Sequence, residues 1–200
     1  MCDEYYINSH TKKGWIEVIV GSMFSGKTEE LIRRLKRAKL ANQKVKIFKH
    51  ALDNRNSTDE VVSHDDNSIG SLTVSSAREI LAHVSGIEVI GVDEGQFFAD
   101  DIVEICNYLA NAGVRIIVAG LDMDYQGKPF GFIPHLMSVA DYVTKLHAVC
   151  VKCGNPAIYS HRKIDKDGLV VLGAYNEYEP LCRGCFSHAL NQKDSDLPIE

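Results

Sequence analysis

No apolar run in this chain approaches the ~18 residues that a bilayer-spanning helix requires, which excludes an integral membrane protein of the helical kind. The opening residues, Met1-Cys-Asp-Glu-Tyr-Tyr6, lack both the positive region and the apolar region of a secretory signal. A cytoplasmic location is therefore expected. No long basic stripe offsets the formal charge of −5, from 22 Lys and Arg against 27 Asp and Glu. That balance argues against nucleic acid as the main partner. Internal repeats and low-complexity tracts are also missing. What remains is a 200-residue chain, 45% hydrophobic, able to bury a core in one main domain with a small satellite. Its six cysteines, in a protein expected to be cytosolic, point to metal binding before disulfides.

The stretch Gly21-Ser22-Met23-Phe24-Ser25-Gly26-Lys27-Thr28 fits G-x-x-x-x-G-K-[ST]. Trp15-Ile-Glu-Val-Ile-Val20 leads in as a strand, and Glu29–Leu40 leads out with helical periodicity. Strand, glycine-rich turn and helix together make a phosphate cradle. The two glycines let the backbone wrap a polyphosphate with its N–H groups inward, and the helix start adds partial positive charge. Lys27 can reach the β- and γ-phosphates, and the Thr28 hydroxyl can ligate Mg²⁺. On the helix, Leu31, Ile32, Leu35 and Ala38 form the apolar stripe. Arg33, Arg34, Lys36, Arg37 and Lys39 read as its solvated face.

Further along, Gln43–Lys49 alternates as a second strand. Val61–His64 and Ile69–Val74 suggest a hairpin across Asp66-Asn67. Ser76-Ala-Arg-Glu79 opens a short helix as a capping box, and Asp101–Glu104 opens another that Asn111-Ala-Gly113 stops. Ile87–Val92 and Arg115–Ala119 are buried strands, followed by a helix near 133–139 and a strand near 141–147. Strands alternating with helices imply an α/β fold with a mainly parallel sheet.

Strand 87–92 ends in Asp93-Glu94-Gly95-Gln96-Phe97. Asp93 can hold Mg²⁺ from the side opposite Thr28. Glu94 then lies near the γ-phosphate, where a carboxylate can take a proton from an attacking hydroxyl. An attacking water would make an ATPase and a substrate hydroxyl a kinase; the motif pair leaves both open.

Cys150-Val-Lys-Cys153 and Cys182-Arg-Gly-Cys185 are two C-x-x-C pairs with 28 residues, 154–181, between them. Two such knuckles offer four thiolates for tetrahedral Zn²⁺, and four filled positions make the metal structural. His188 is an alternative to Cys185 as fourth ligand, with Cys185 preferred on spacing. Between the pairs lie a turn at Asp165–Gly168, a strand Leu169–Leu172 and a loop 173–180 carrying Tyr175 and Tyr178. A loop clamped at its base by a metal is a lid over a flat ligand.

Taken together, Gly21–Thr28 with Met23 and Phe24 inside, Asp93-Glu-Gly-Gln-Phe97, Gly120-Leu-Asp-Met-Asp-Tyr125 with Pro129-Phe-Gly131, and the paired C-x-x-C with Tyr178 between resemble thymidine kinases of the cellular, tetrameric, zinc-containing type. The resemblance runs from about residue 15 to 188. It implies a P-loop, RecA-like core over 1–149, a zinc-ribbon-like domain with a lasso loop over 150–191, and a disordered tail over 192–200. It implies transfer of the ATP γ-phosphate to the 5′-hydroxyl of thymidine or deoxyuridine, a homotetramer, and no nucleic-acid or membrane partner. Glu94 would be the general base. Residues 21–28, Asp93 and Gln96 would serve ATP and Mg²⁺. Met23, Phe97, Leu121, Tyr125 and Phe130 would line the thymine pocket, with Val171 and Tyr178 closing from the lasso. Asp53 and Arg55 would approach the sugar 5′ end or the phosphates. Tyr125 stands where many relatives have Phe. Two rival functions remain, a P-loop ATPase with a structural zinc module and a zinc-knuckle nucleic-acid binder; the mixed charge of 150–185 disfavours the second.

Overall fold

Strand β1 (Trp15–Val20) is buried over five of its six residues and delivers the chain directly to the glycine-rich turn. Helix α1 (Lys27–Leu40) leaves that turn with Leu31, Ile32, Leu35 and Ala38 inward, as its periodicity requires. These positions belong to a computed structural model that describes residues 13–53, 60–62, 68–164 and 176–195. Arg33, Lys36, Arg37 and Lys39 are exposed, as expected of a solvated face. Arg34 departs from that reading. It is half-buried and turns back to the sheet, where Nη1 lies 2.7 Å from Glu17.

Strand β2 (Val45–His50) follows α1. The turn between them puts Asn42 at φ 58°, with Gln43 N–H donating to the Ala38 carbonyl and Asn42 N–H to that of Lys39. This pair of bonds closes the helix C-terminus. Strands β3 (Glu60–Val62) and β4 (Ser68–Gly70) form the first part of the expected hairpin, antiparallel, with the turn outside the described residues. The rest of that expectation is corrected. Leu72–Val74 is a separate strand, β5, which leaves the hairpin and lies parallel to β2. A short alternating run specifies strand but not its neighbour.

Helix α2 (Ala77–Leu81) starts at Ser76, and Glu79 accepts from the Ser75 N–H and from the Ser76 hydroxyl. The capping box is thus displaced by one residue. Strand β6 (Val89–Asp93) is wholly buried. A 3₁₀ turn (Gly95–Phe97) and helix α3 (Asp101–Asn111) follow. Gly113, at φ 90°, ends α3, as the sequence predicts. Strand β7 (Arg115–Gly120), helix α4 (Ile133–Val139) and strand β8 (Tyr142–Lys145) complete the large unit.

The sheet order is β5-β2-β6-β7-β1-β8, and every neighbouring pair is parallel. Apolar residues cover both faces, as a parallel sheet requires. Ile19, Ile47, Val89 and Ile117 pack against α1. Val18, Phe48, Ile90, Val92 and Val118 pack on the other face with Ile80, Ile102 and Leu136.

After β8 the elements shorten. Strands β9 (Ala148–Val149) and β10 (Pro156–Ala157) pair antiparallel, as do β11 (Tyr159–Arg162) and β12 (Tyr178–Leu181), before helix α5 (Arg183–Ser195). A small cluster of Ala148, Cys150, Ala157, Tyr159, Leu181 and Phe186 holds them, with Tyr159 and Phe186 stacked at 4.2 Å. Among the described residues, no helix is long and apolar enough to cross a membrane.

Candidate active site

Parallel strands bring their carboxyl ends to one edge, where α/β sheets bind ligands. Here that edge collects the glycine-rich turn after β1, Asp93 at the end of β6, and the segment from Leu121 after β7. The turn carries the backbone conformations of a phosphate cradle. Phe24 (φ 64°) and Gly26 (φ 82°) are both left-handed, and Gly26 directly precedes α1. A Cβ on Gly21 would stand 2.4 Å from the Leu146 carbonyl oxygen, so only glycine fits there. The Ser25 hydroxyl is buried and has no partner among the described residues. Such an orphaned donor, beside a helix N-terminus, fits an anion.

Lys27 Nζ donates to the Ser22 carbonyl at 2.8 Å. Thr28 Oγ1 donates to Asp93 Oδ2 at 3.2 Å, which joins the two sequence motifs across 65 residues. The other oxygen of Asp93 accepts from the Glu94 N–H at 3.0 Å. Burial pushes the Asp93 carboxyl up to about 7, the Glu94 charge adds to this, and Lys27 opposes it. A hydroxyl and a buried, under-compensated carboxylate side by side form a donor set suited to a hard divalent cation.

Glu94 itself sits in left-handed backbone, φ 52° and ψ 45°, which is uncommon for a non-glycine residue. Its carboxylate accepts from the side-chain amide of Gln96. The Gln96 carbonyl oxygen accepts from the Leu121 N–H at 2.9 Å. Both ends of Gln96, expected at the nucleotide, are therefore engaged by the chain.

Of the residues expected around a base, Met23 lies in the turn after β1, Phe97 in the 3₁₀ turn after β6, Leu121, Tyr125 and Phe130 in the segment after β7, and Tyr178 at the start of β12. Met23, Phe97, Leu121 and Tyr125 are half-buried, and Phe130 and Tyr178 are buried. The Arg162 guanidinium lies 3.6 Å from the Tyr125 ring centroid, and Arg162 pairs in register with Tyr178. Asp53 lies close enough to add to the field on Asp93. Arg55, Val171 and Tyr175 are outside the described residues, as are the turn at 165–168 and the strand at 169–172.

The sulfur atoms of Cys150, Cys153, Cys182 and Cys185 all lie within 4.8 Å of one another. His188 is exposed and is not among them, so the four-cysteine set stands over the histidine alternative. Burial raises the Cys150 thiol, but backbone N–H groups of Cys182, Lys152 and Cys153 bring it down to about 6. Cys185, facing Cys153 and Cys182, is pushed up to about 12. Four thiolates cannot coexist without a cation between them, so the cluster is compatible with zinc.

Sequence reading missed the contacts that tie the cysteine-bearing part to the turn. The Met23 N–H donates to Ser160 Oγ at 2.9 Å, and Ser22 Oγ donates to the Ala157 carbonyl at 3.3 Å. It also missed Asp122, whose Oδ2 pairs with Lys145 at 2.6 Å while Oδ1 is buried without a partner among the described residues. A serine in a short β-like piece and an aspartate in a polar loop give no local signal of such roles.

Comparison with known proteins agrees with the geometry. The family model described as thymidine kinase matches residues 14–186. The chain is 56% identical over 189 residues to a thymidine kinase of Bacteroides fragilis (strain YCH46), covering 94% of this chain and 95% of the relative. It is 57% identical over 173 residues to that of Rhodothermus sp., covering 86% and 81%, and 53% identical over 182 residues to that of Porphyromonas gingivalis (strain W83), covering 90% and 89%. With its glycine-rich turn, paired acidic strand end and four-cysteine cluster in one framework, this chain belongs to the thymidine kinase family.

Proposed function

We propose that this protein phosphorylates thymidine or deoxyuridine, moving the γ-phosphate of ATP to the nucleoside 5′-hydroxyl in nucleotide salvage. The observation that carries the reading is the Thr28–Asp93 hydrogen bond. It brings the phosphate-binding turn and the acidic strand end to one point, with Glu94 next in the chain. Phosphoryl transfer asks for positioning and charge neutralisation more than covalent chemistry. The amides of residues 21–28, the Ser25 hydroxyl and Lys27 take the triphosphate. Thr28 and Asp93 hold Mg²⁺, which neutralises charge on the phosphate oxygens when bound. Glu94 accepts the proton of the 5′-hydroxyl.

Met23, Phe97, Leu121, Tyr125 and Phe130 receive the thymine ring, and Asp53 and Arg55 approach the sugar and phosphates. Val171 and Tyr178 belong to a lasso, within a domain of residues 150–191, that closes over the base. The four cysteines hold a structural Zn²⁺. The enzyme works as a cytoplasmic homotetramer. Kinase chemistry is tested by measuring ATP consumption with each nucleoside in turn and with water or DNA alone. Consumption that rises with thymidine and yields thymidine monophosphate supports it. Consumption indifferent to thymidine makes the protein an ATPase.

A further inference from the structure

Gln96 is 4% exposed, yet its side chain is fully engaged. Its amide nitrogen donates to the Glu94 carboxylate, and its carbonyl oxygen accepts from the Leu121 N–H. These two partners lie on different strands' ends: Glu94 follows β6, and Leu121 follows β7, 25 residues from Gln96 in sequence. The surroundings leave space for this bridge and for little else. A Cβ on Gly120 would stand 3.0 Å from the Gln96 carbonyl oxygen. One on Gly131, already at φ 53°, would stand 2.6 Å from the Gln96 backbone oxygen. Glycines on two other segments thus leave room for the Gln96 side chain and for its backbone, and the two hydrogen bonds hold the side chain in that space.

We propose that Gln96 is a positioning residue that aims the Glu94 carboxylate at the substrate hydroxyl and links it to the Leu121 end of the nucleoside pocket. Glu94 sits in left-handed backbone between β6 and the 3₁₀ turn, and the Gln96 amide two residues on holds one of its carboxylate oxygens. A glutamine suits this role. Its nitrogen can only donate, which holds the carboxylate without taking its proton. Its oxygen satisfies a backbone N–H that would otherwise be left without a partner at the pocket wall. Gln96 therefore acts through Glu94 and makes no demand on the nucleotide. The proposal rests on Glu94 being the base.

The test uses the full-length, metal-loaded enzyme with Mg-ATP and thymidine. Gln96→Glu keeps an acceptor for the Leu121 N–H and removes the donor to Glu94; Gln96→Met keeps the volume and removes both. Each variant should lower kcat by about tenfold or more while the KM for ATP stays within about twofold, since orientation of a base is felt only in the reacting complex. Gln96→Glu sets a second carboxylate against Glu94 and should melt below wild type, whereas the uncharged Gln96→Met adds no charge; the retained KM for ATP in both variants is what separates positioning from unfolding. Adding Gln96→Met to Glu94→Gln should cost little beyond Glu94→Gln alone, because both act on one carboxylate. A raised KM for ATP with unchanged kcat, or full additivity in the double variant, overturns the proposal while leaving Glu94 as the base. If Glu94→Gln turns over at the wild-type rate, the base assignment falls first and takes the proposal with it.

Discussion

Two acidic side chains are buried in this sheet, and they are treated in opposite ways. Glu17, in the middle of β1, is 6% exposed, and Asp93, at the end of β6, is 7% exposed. Glu17 accepts from Arg115 Nε at 2.6 Å, Arg34 Nη1 at 2.7 Å and Trp15 Nε1 at 2.7 Å. Burial raises its pKa, but these donors outweigh burial and hold it below the usual carboxylate range. Asp93 has a hydroxyl, one backbone N–H and the more distant Lys27, and its carboxyl rises to about 7. The chain provides Glu17 with its own cations and leaves Asp93 short of one. A buried charge left under-compensated is costly in stability, and the sites that retain one are those where a ligand completes the set.

The largest difference should appear on neutralising each acid in turn. Asp93→Asn should cut thymidine turnover by about 10²-fold or more, the scale seen when an electrostatic stabiliser of the transition state is lost. It should not lower the melting temperature of the ligand-free protein, since it removes a charge that the fold does not balance. A clear fall in melting temperature without loss of turnover would place Asp93 with Glu17 as a structural acid.

Glu17→Gln should do the reverse. It leaves two guanidinium groups, 14% and 20% exposed in their side chains, facing an uncharged amide, with Arg34 keeping Glu30 as a partner at 2.8 Å. The cost should be about 2–3 kcal/mol, below the range for fully buried pairs because both arginines retain some water. For a chain of this size that is a fall of roughly 5–10 °C in melting temperature. The KM for ATP and for thymidine should remain near wild type. Unchanged stability would mean that the arginines find other partners, and the contrast between the two acids would lose one of its poles.

These same residues mark how far the sequence could be read. The glycine-rich turn was legible because eight consecutive residues build it, with strand before and helix after. The cysteine cluster was legible because spacing alone limits what two C-x-x-C pairs can do. That Asp93 would end its strand beside Thr28 was legible once the turn had been found. The Glu17 network was not, because Glu17 and Arg115 are 98 residues apart and only the β1–β7 register brings them level. A glutamate inside the apolar run 15–20 was the one visible signal. Arg34 was read as solvated because helical periodicity ranks positions by stripe and does not see an acid waiting on the neighbouring strand. Gln96 was placed at the nucleotide by the family resemblance; its bond to Leu121 depends on how β6 and β7 end beside each other. Leu72–Val74 joined β2 because parallel pairing is decided by the sheet, not by the run itself.

The sign of the pH dependence offers the finest test of the contrast. Asp93 has a folded-state pKa of about 7 against an ordinary value of 3.8. The folded protein therefore binds a proton that the unfolded chain has already released between those values. Its contribution to stability is complete below about pH 4 and is lost as pH rises through about 7. Glu17 is shifted the other way. Its contribution is present above its ordinary value of 4.5 and is lost as pH falls through its lowered folded-state value. Melting temperatures of ligand-free wild type, Asp93→Asn and Glu17→Gln should then diverge in opposite directions. The advantage of Asp93→Asn over wild type should grow from pH 5 to pH 7 and then level off. The deficit of Glu17→Gln should be constant through that window and shrink only below pH 4.5. Excess Mg-ATP should erase the first trend and leave the second untouched, because a cation bound at Asp93 stabilises its ionised form while Glu17 already has its partners. Parallel curves for the two variants would mean that the carboxylates share one kind of environment, and Asp93 would no longer stand out as the group in this sheet that needs something from outside the chain.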